Sequence, residues 1–119
     1  MNIFEKIRNI IADLLDIEED EITLESYLIR DLGAESIDLL ELAVALNSTF
    51  NIEINDDEIF LKTLRLYLTE AKEKKKDISS YLAARFPFLE EKRIEEIMED
   101  LEKGPVIKVK DIVRYVAFR

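Results

Sequence analysis

At 119 residues and 48% hydrophobic, the chain can bury one modest core and does not require a second. It contains neither cysteine nor histidine, which excludes disulfides, thiolate metal sites, and nucleophilic Cys–His or Ser–His–Asp chemistry. The net charge of −10 is unevenly placed: residues 1–59 hold 3 basic and 16 acidic side chains, and residues 60–119 hold 14 basic and 11 acidic. The first half therefore repels nucleic acid and suits partners with basic patches. No apolar run approaches the roughly 20 residues that span a bilayer, and no signal-peptide pattern opens the chain. The default expectation is a cytoplasmic monomer. Only two glycines and two prolines, among abundant Leu, Ile, Glu and Lys, point to helices.

In chain order, Ile3, Ile7, Ile10, Ile11 and Leu14 recur at helical spacing, so a first helix is expected over roughly Asn2–Asp16. The acidic run Glu18–Glu21 breaks that pattern and begins a long loop. Within it Ile22, Leu24, Tyr27, Leu28, Ile29 and Leu32 are too apolar for a free linker and should pack back on the helices; a loop of this length is often functional. Gly33 marks a backbone conformation that a Cβ would oppose. Ser36 stands where helix N-caps prefer serine, at the positive end of a helix dipole that favours an attached anion.

The helix from Ser36 to about Phe50 is apolar on two opposed sides. At about 100° per residue, Leu39, Leu42, Ala43, Leu46 and Phe50 share the core stripe. Ile37, Leu40, Val44 and Ser48 fall opposite, with Glu41 beside them. Three readings stand for that second side. Its residues are scattered surface apolar side chains, or later helices cover it, or it is a partner-docking surface with an apolar centre and an acidic rim of Glu35, Asp38 and Glu41.

Ile52-Glu53-Ile54 reads as an extended connector. Asn55 or Asp56 should cap one helix whose stripe is Phe60, Leu64, Tyr67, Leu68 and Ala71, ending in the solvated run Lys72–Lys76. Asp77 can cap a short helix with Ile78, Tyr81, Leu82 and Phe86 on one face, ended by Pro87. Glu90 and Glu91 start another, striped by Ile94, Ile97, Met98 and Leu101 and stopped at Gly104-Pro105. Val109, Ile112, Val113 and Val116 define the last. The expected fold is all-α, with six or seven helices in a bundle.

The motif Leu32-Gly33-Ala34-Glu35-Ser36-Ile37-Asp38, then Glu41-Leu42 and Phe50-Asn51-Ile52-Glu53-Ile54, resembles the acyl carrier protein family. The resemblance runs over about Met1–Ile59 and resumes near Val109–Val116. Glu35 replaces the family's usual Asp before the serine, and Ile37 its Leu. About Phe60–Gly104 has no counterpart in an ordinary carrier. It reads as a helical insertion folded onto the bundle, within one domain spanning 1–119.

The resemblance implies that Ser36 bears 4′-phosphopantetheine, placed by a separate phosphopantetheinyl transferase, with acyl groups held as thioesters on the arm. It implies docking of acyl-transferring or synthase enzymes with basic patches against Glu35, Ile37, Asp38, Leu40, Glu41 and Val44. It also implies an interior for the acyl chain lined by Ile7, Leu28, Ile29, Ala34, Leu42, Leu46, Phe50 and Ile54. The chain would be a carrier in a fatty acid, polyketide or other specialised lipid pathway, and not an enzyme. The alternatives are a peptidyl or aminoacyl carrier, and an unmodified interaction module that keeps the fold. No metal site is expected, because Asp31, Glu35, Asp38 and Glu41 lack the spacing of a ligand loop.

Overall fold

The computed structural model describes residues 2–119, so the Met1 end of the resemblance lies outside the described residues. Seven α-helices follow one another: α1 (Ile3–Leu15), α2 (Ser36–Phe50), α3 (Asp56–Ile59), α4 (Leu64–Glu73), α5 (Ile78–Arg85), α6 (Glu91–Asp100) and α7 (Val109–Phe118). Short 3₁₀ turns occupy Glu19–Glu21 and Leu101–Lys103, and no β-strand occurs among the described residues. The all-α expectation is met.

Capping chemistry sets several helix starts. Asn2 accepts from the Glu5 amide, Asn55 from Glu58 and Asp77 from Ser80, each satisfying a donor that the first turn leaves open. α1 packs on α2 and α7, and α3 packs on α7. α4, α5 and α6 pack on one another in sequence. Both groups share one continuous apolar core, in which Ile7, Ile11, Leu42, Leu46 and Ile112 meet Leu82, Phe86, Phe88, Ile94 and Ile97. Burying each such side chain contributes about 1.5–3 kcal/mol relative to exposure. A run of edge-to-face aromatic contacts, Tyr67–Phe86–Phe88–Tyr115, carries the packing from α4 to α7 with ring centroids 5.7, 6.4 and 5.1 Å apart.

The long loop is tied down, as its composition suggested. Ile22 and Leu28 are buried, while Tyr27, Ile29 and Leu32 are half-buried. Leu24 departs from expectation and is 42% exposed. The amides of Leu28, Val109 and Lys110 donate to the carbonyls of Ile107, Ser26 and Leu24, all at 3.0 Å, so the loop and the segment leading into α7 pair through their backbones. Arg30 adds a polar lock. Its guanidinium pairs with Asp100 at 2.8 Å, its Nε donates to the Pro105 carbonyl at 2.7 Å, and its plane lies 3.9 Å over the Tyr27 ring. The Tyr27 hydroxyl donates to the same Asp100 carboxylate.

A second lock is internal. Arg93 of α6 donates to both carboxylate oxygens of Asp111 on α7 at 2.7 Å and to the Val106 carbonyl at 2.8 Å. Asp111 also accepts from the Lys108 amide at 2.9 Å, closing the first turn of α7. Arg93 and Asp111 keep only 9% and 1% of their side chains exposed, so this is a buried, hydrogen-bonded ion pair.

One expectation about the helices needs correction, and one of the open readings of α2 falls. The single helix expected after Asn55 is two. Leu61 adopts a left-handed φ of 54°, the Lys62 amide donates to Asp57 and the Leu61 amide to Glu58, which is the backbone pattern of a Schellman ending. Leu61 is only 6% exposed, so its burial holds a conformation usually reserved for glycine. Nor do the later helices cover the second apolar side of α2: Ile37, Leu40 and Val44 are 56%, 53% and 62% exposed.

Candidate functional site

The approach to α2 is fixed from within. Ala34 is buried, its amide donates to the Leu28 carbonyl, and that of Gly33 donates to Ile29, while Gly33 turns the chain at φ 74°. Glu35 then stands extended at φ −108° and ψ 173°, its carbonyl accepting from the Leu39 amide at 3.0 Å. The Asp38 carboxylate reaches back to accept from the Glu35 amide at 2.8 Å. Glu35 is therefore the N-cap and Ser36 the first helical residue, a shift of one position from the sequence expectation. The Asp38 carboxylate holds this start by taking the Glu35 amide, one arm of a capping box, so the Ser36 hydroxyl is not spent on the cap.

That shift leaves the serine free. Ser36 is exposed, and its hydroxyl makes no hydrogen bond among the described residues. It sits on the first turn of a 15-residue helix, where unpaired amides and the dipole favour negative charge. The hydroxyl opens onto a groove of about 90 Å³ lined by Ser36, Leu39 and Leu40 from α2, Asp56 from α3, and Phe60 and Lys62 from the turn that follows. A shallower groove of about 240 Å³ continues along α2 past Leu40, Ala43, Val44 and Asn47 to Glu53 and Ile54.

Of the expected docking residues, Glu35, Ile37, Leu40, Glu41 and Val44 are exposed on the Ser36 side of α2. Asp38 is half-buried and spends its carboxylate on the cap. Of the expected interior residues, Ile7, Leu28, Ala34, Leu42 and Leu46 are buried, and Ile29, Phe50 and Ile54 pack half-buried against the same core. None of the eight lines the groove at Ser36, and Ile54 lines the shallower one. The groove residues that sequence reasoning missed are Asp56, Phe60 and Lys62. Phe60 was assigned to a helix stripe, and nothing in a run of Phe-Leu-Lys announces a helix end with leucine at the left-handed position.

Elsewhere the surface is held by ion pairs. Glu25 receives Lys108 at 2.9 Å and Lys110 at 3.0 Å, and these hydrogen bonds, that from Lys108 foremost, pull its carboxyl from 4.5 to about 2. Asp100 is held below the usual carboxylate range by its hydrogen bonds from Arg30 and Tyr27.

Known proteins resemble this chain in sequence. The family model of the phosphopantetheine attachment site matches residues 5–67, more than half of the chain. The acyl carrier protein of Clostridium perfringens is 51% identical over 55 residues, covering 46% of this chain and 72% of that protein. The acyl carrier protein of Clostridium acetobutylicum is 52% identical over 56 residues, 47% of this chain and 73% of its own length. The residues matched by the family model include the helix that presents the free serine and those that line its groove, and the chain belongs to the acyl carrier protein family, whose cofactor is phosphopantetheine.

Proposed function

We propose that Ser36 is the residue that takes the 4′-phosphopantetheine arm, and that the protein carries acyl intermediates on it in a fatty acid, polyketide or other lipid pathway. The single observation behind this is the exposed, unbonded Ser36 hydroxyl on the first turn of α2, beside an apolar-walled groove. The residues fit the group. A phosphodiester on Ser36 would meet the positive end of the helix, and Leu39, Leu40 and Phe60 offer apolar contact to the neutral part of an arm. When bound, the arm supplies a thiol for thioester chemistry, which a chain without cysteine cannot provide itself.

Loading requires a separate transferase, since no histidine is present to activate the serine. In that step Ser36 Oγ attacks the β-phosphorus of coenzyme A, the bond to the ADP portion breaks, 3′,5′-ADP departs, and the hydroxyl proton passes to the transferase. The role of this chain is to present Oγ, hold the helix that positions it, and offer Ile37, Leu40 and Val44 with the acidic rim to the docked enzyme. Tethering then raises the effective concentration of cargo at each enzyme. The exposure of all three apolar residues supports docking over coverage by the later helices.

The stretch of about 60–104 belongs, on this reading, to the same folding unit, an insertion that thickens the bundle and whose first residues line the groove at Ser36. The continuous core and the two Arg–Asp locks support it.

Incubation with coenzyme A and a permissive transferase, followed by intact-mass and tandem mass spectrometry, tests the central assignment. A single adduct on Ser36, absent from Ser36→Ala, is expected. An adduct on Ser26 or Ser48, or one that survives Ser36→Ala, would overturn it.

A further inference from the structure

The groove beside Ser36 carries a cation that the rest of the site lacks. Residues 1–59 contain only three basic side chains, and each is engaged elsewhere: Lys6 lies over the Phe50 ring at 5.8 Å, Arg8 over Phe4 at 5.1 Å, and Arg30 is paired with Asp100. Around the serine stand Glu35, Asp38, Glu41 and Asp56, so a phosphodiester there adds negative charge to a surface already crowded with it. Lys62 is the single basic residue lining the groove. It is exposed and forms no ion pair among the described residues.

Its placement is built. The chain leaves α3 through the Schellman ending, with Leu61 left-handed and buried, and the Lys62 amide is pinned to the Asp57 carbonyl at 2.9 Å. Had α3 simply continued as a helix, as the sequence pattern suggests, the backbone at Lys62 would lie on a different path. A non-glycine residue at positive φ costs of order 1 kcal/mol or more and persists only where its surroundings over-determine it. Here the side effect of that turn is a lysine facing the attachment groove.

Building on the Ser36 assignment, we propose that Lys62 is the counter-cation of the arm's phosphodiester, and that this ion pair directs the arm along Leu39, Leu40 and Phe60 instead of out into solvent. Lys62 is thus a positioning residue for the cofactor. Lys62 offsets part of the like-charge repulsion that loading adds, and the arm divides its time between a docked and a free state.

The test uses the full chain, loaded with isotope-labelled phosphopantetheine and checked by intact mass. In the wild type, nuclear Overhauser contacts from the arm to Leu39 and Phe60 are expected, with a shift of the Lys62 Cε resonance between unloaded and loaded protein. Lys62→Gln should lower the docked-to-free ratio of the arm by about two- to fivefold and move the ³¹P resonance toward that of a free diester. Lys62→Arg should restore both, which a purely structural role would not explain. Unchanged arm contacts in a fully loaded Lys62→Gln protein, or a Lys62 resonance indifferent to loading, would overturn the proposal while leaving Ser36 assigned. Mapping of the adduct to another serine would overturn both, and the mass spectra separate the two failures.

Discussion

Asp111→Ala should destabilise the whole molecule, including parts far from the substitution. The change removes the two carboxylate oxygens that pair with Arg93, leaves a guanidinium whose side chain is 9% exposed with the Val106 carbonyl at 2.8 Å and Glu96 at 3.8 Å, and deprives the Lys108 amide of its partner. Breaking one side of a buried pair costs about 3–5 kcal/mol. For a chain of this size each kcal/mol moves the melting temperature by about 3–5 °C, so a fall of roughly 10–20 °C is expected. If α6 and α7 belong to the same cooperative unit as α2, amide exchange at Leu42 and Leu46 should accelerate as much as at Ile94 and Ile97, by about 150- to 5000-fold. Urea titration would give the free energy, and hydrogen exchange followed by NMR would give its distribution. Acceleration confined to α6 and α7, with Leu42 and Leu46 unchanged, would refute the single folding unit. Arg93→Met combined with Asp111→Leu should recover part of the loss, because an apolar replacement leaves no unpaired charge behind.

Leu40→Asp, on the exposed side of α2, should stay within about 0.5 kcal/mol of the wild type while lowering transferase kcat/KM by about 3- to 30-fold; a melt shifted by many degrees with unchanged kinetics would refute docking there. Acid should weaken the fold. Glu25, moved from 4.5 to about 2, and Asp100, also lowered, have folded values beneath their unfolded ones, so their contribution is complete above the unfolded value and is lost as pH falls through the folded one. Melting temperature should therefore decline between about pH 4.5 and 2, and less steeply for Glu25→Gln with Asp100→Asn; parallel acid limbs would dismiss these carboxylates. A peptide of residues 60–104 should show little helix by circular dichroism, since its helices spend their apolar faces on the shared core, and a cooperative melt of that peptide would contradict it.

Much of the molecule was legible because its signals are local. Periodicity placed α1, α2, α5, α6 and α7 within a few residues, and Asn55 and Asp77 cap where short polar side chains should. The opposed stripe of Ile37, Leu40 and Val44 was likewise visible as an angle, and exposure settled its surroundings. What escaped depends on tertiary context. Leu61 is a left-handed leucine stabilised by burial, a conformation that no propensity favours, and it hid both the break between α3 and α4 and the arrival of Lys62 at the groove. Arg93 and Asp111 lie 18 residues apart on different helices, so their pairing leaves no periodic trace, and both look like ordinary surface charges. The cap moved from Ser36 to Glu35 because the Asp38 carboxylate, three residues on, takes the Glu35 amide.

The Tyr115 hydroxyl accepts from the Asn55 amide at 3.0 Å, and α7 lies against α3. The chain has therefore come back to pack on α3, and everything from α4 to α6 is a detour between α3 and α7. Such a detour makes little demand on the frame it departs from. Lengthening a flexible connection costs only about 0.6 kcal/mol per doubling, so helices can be added or trimmed there while the distance between α3 and α7 stays the same. Bulk, charge and new surfaces can accumulate on this side of the protein without moving Ser36.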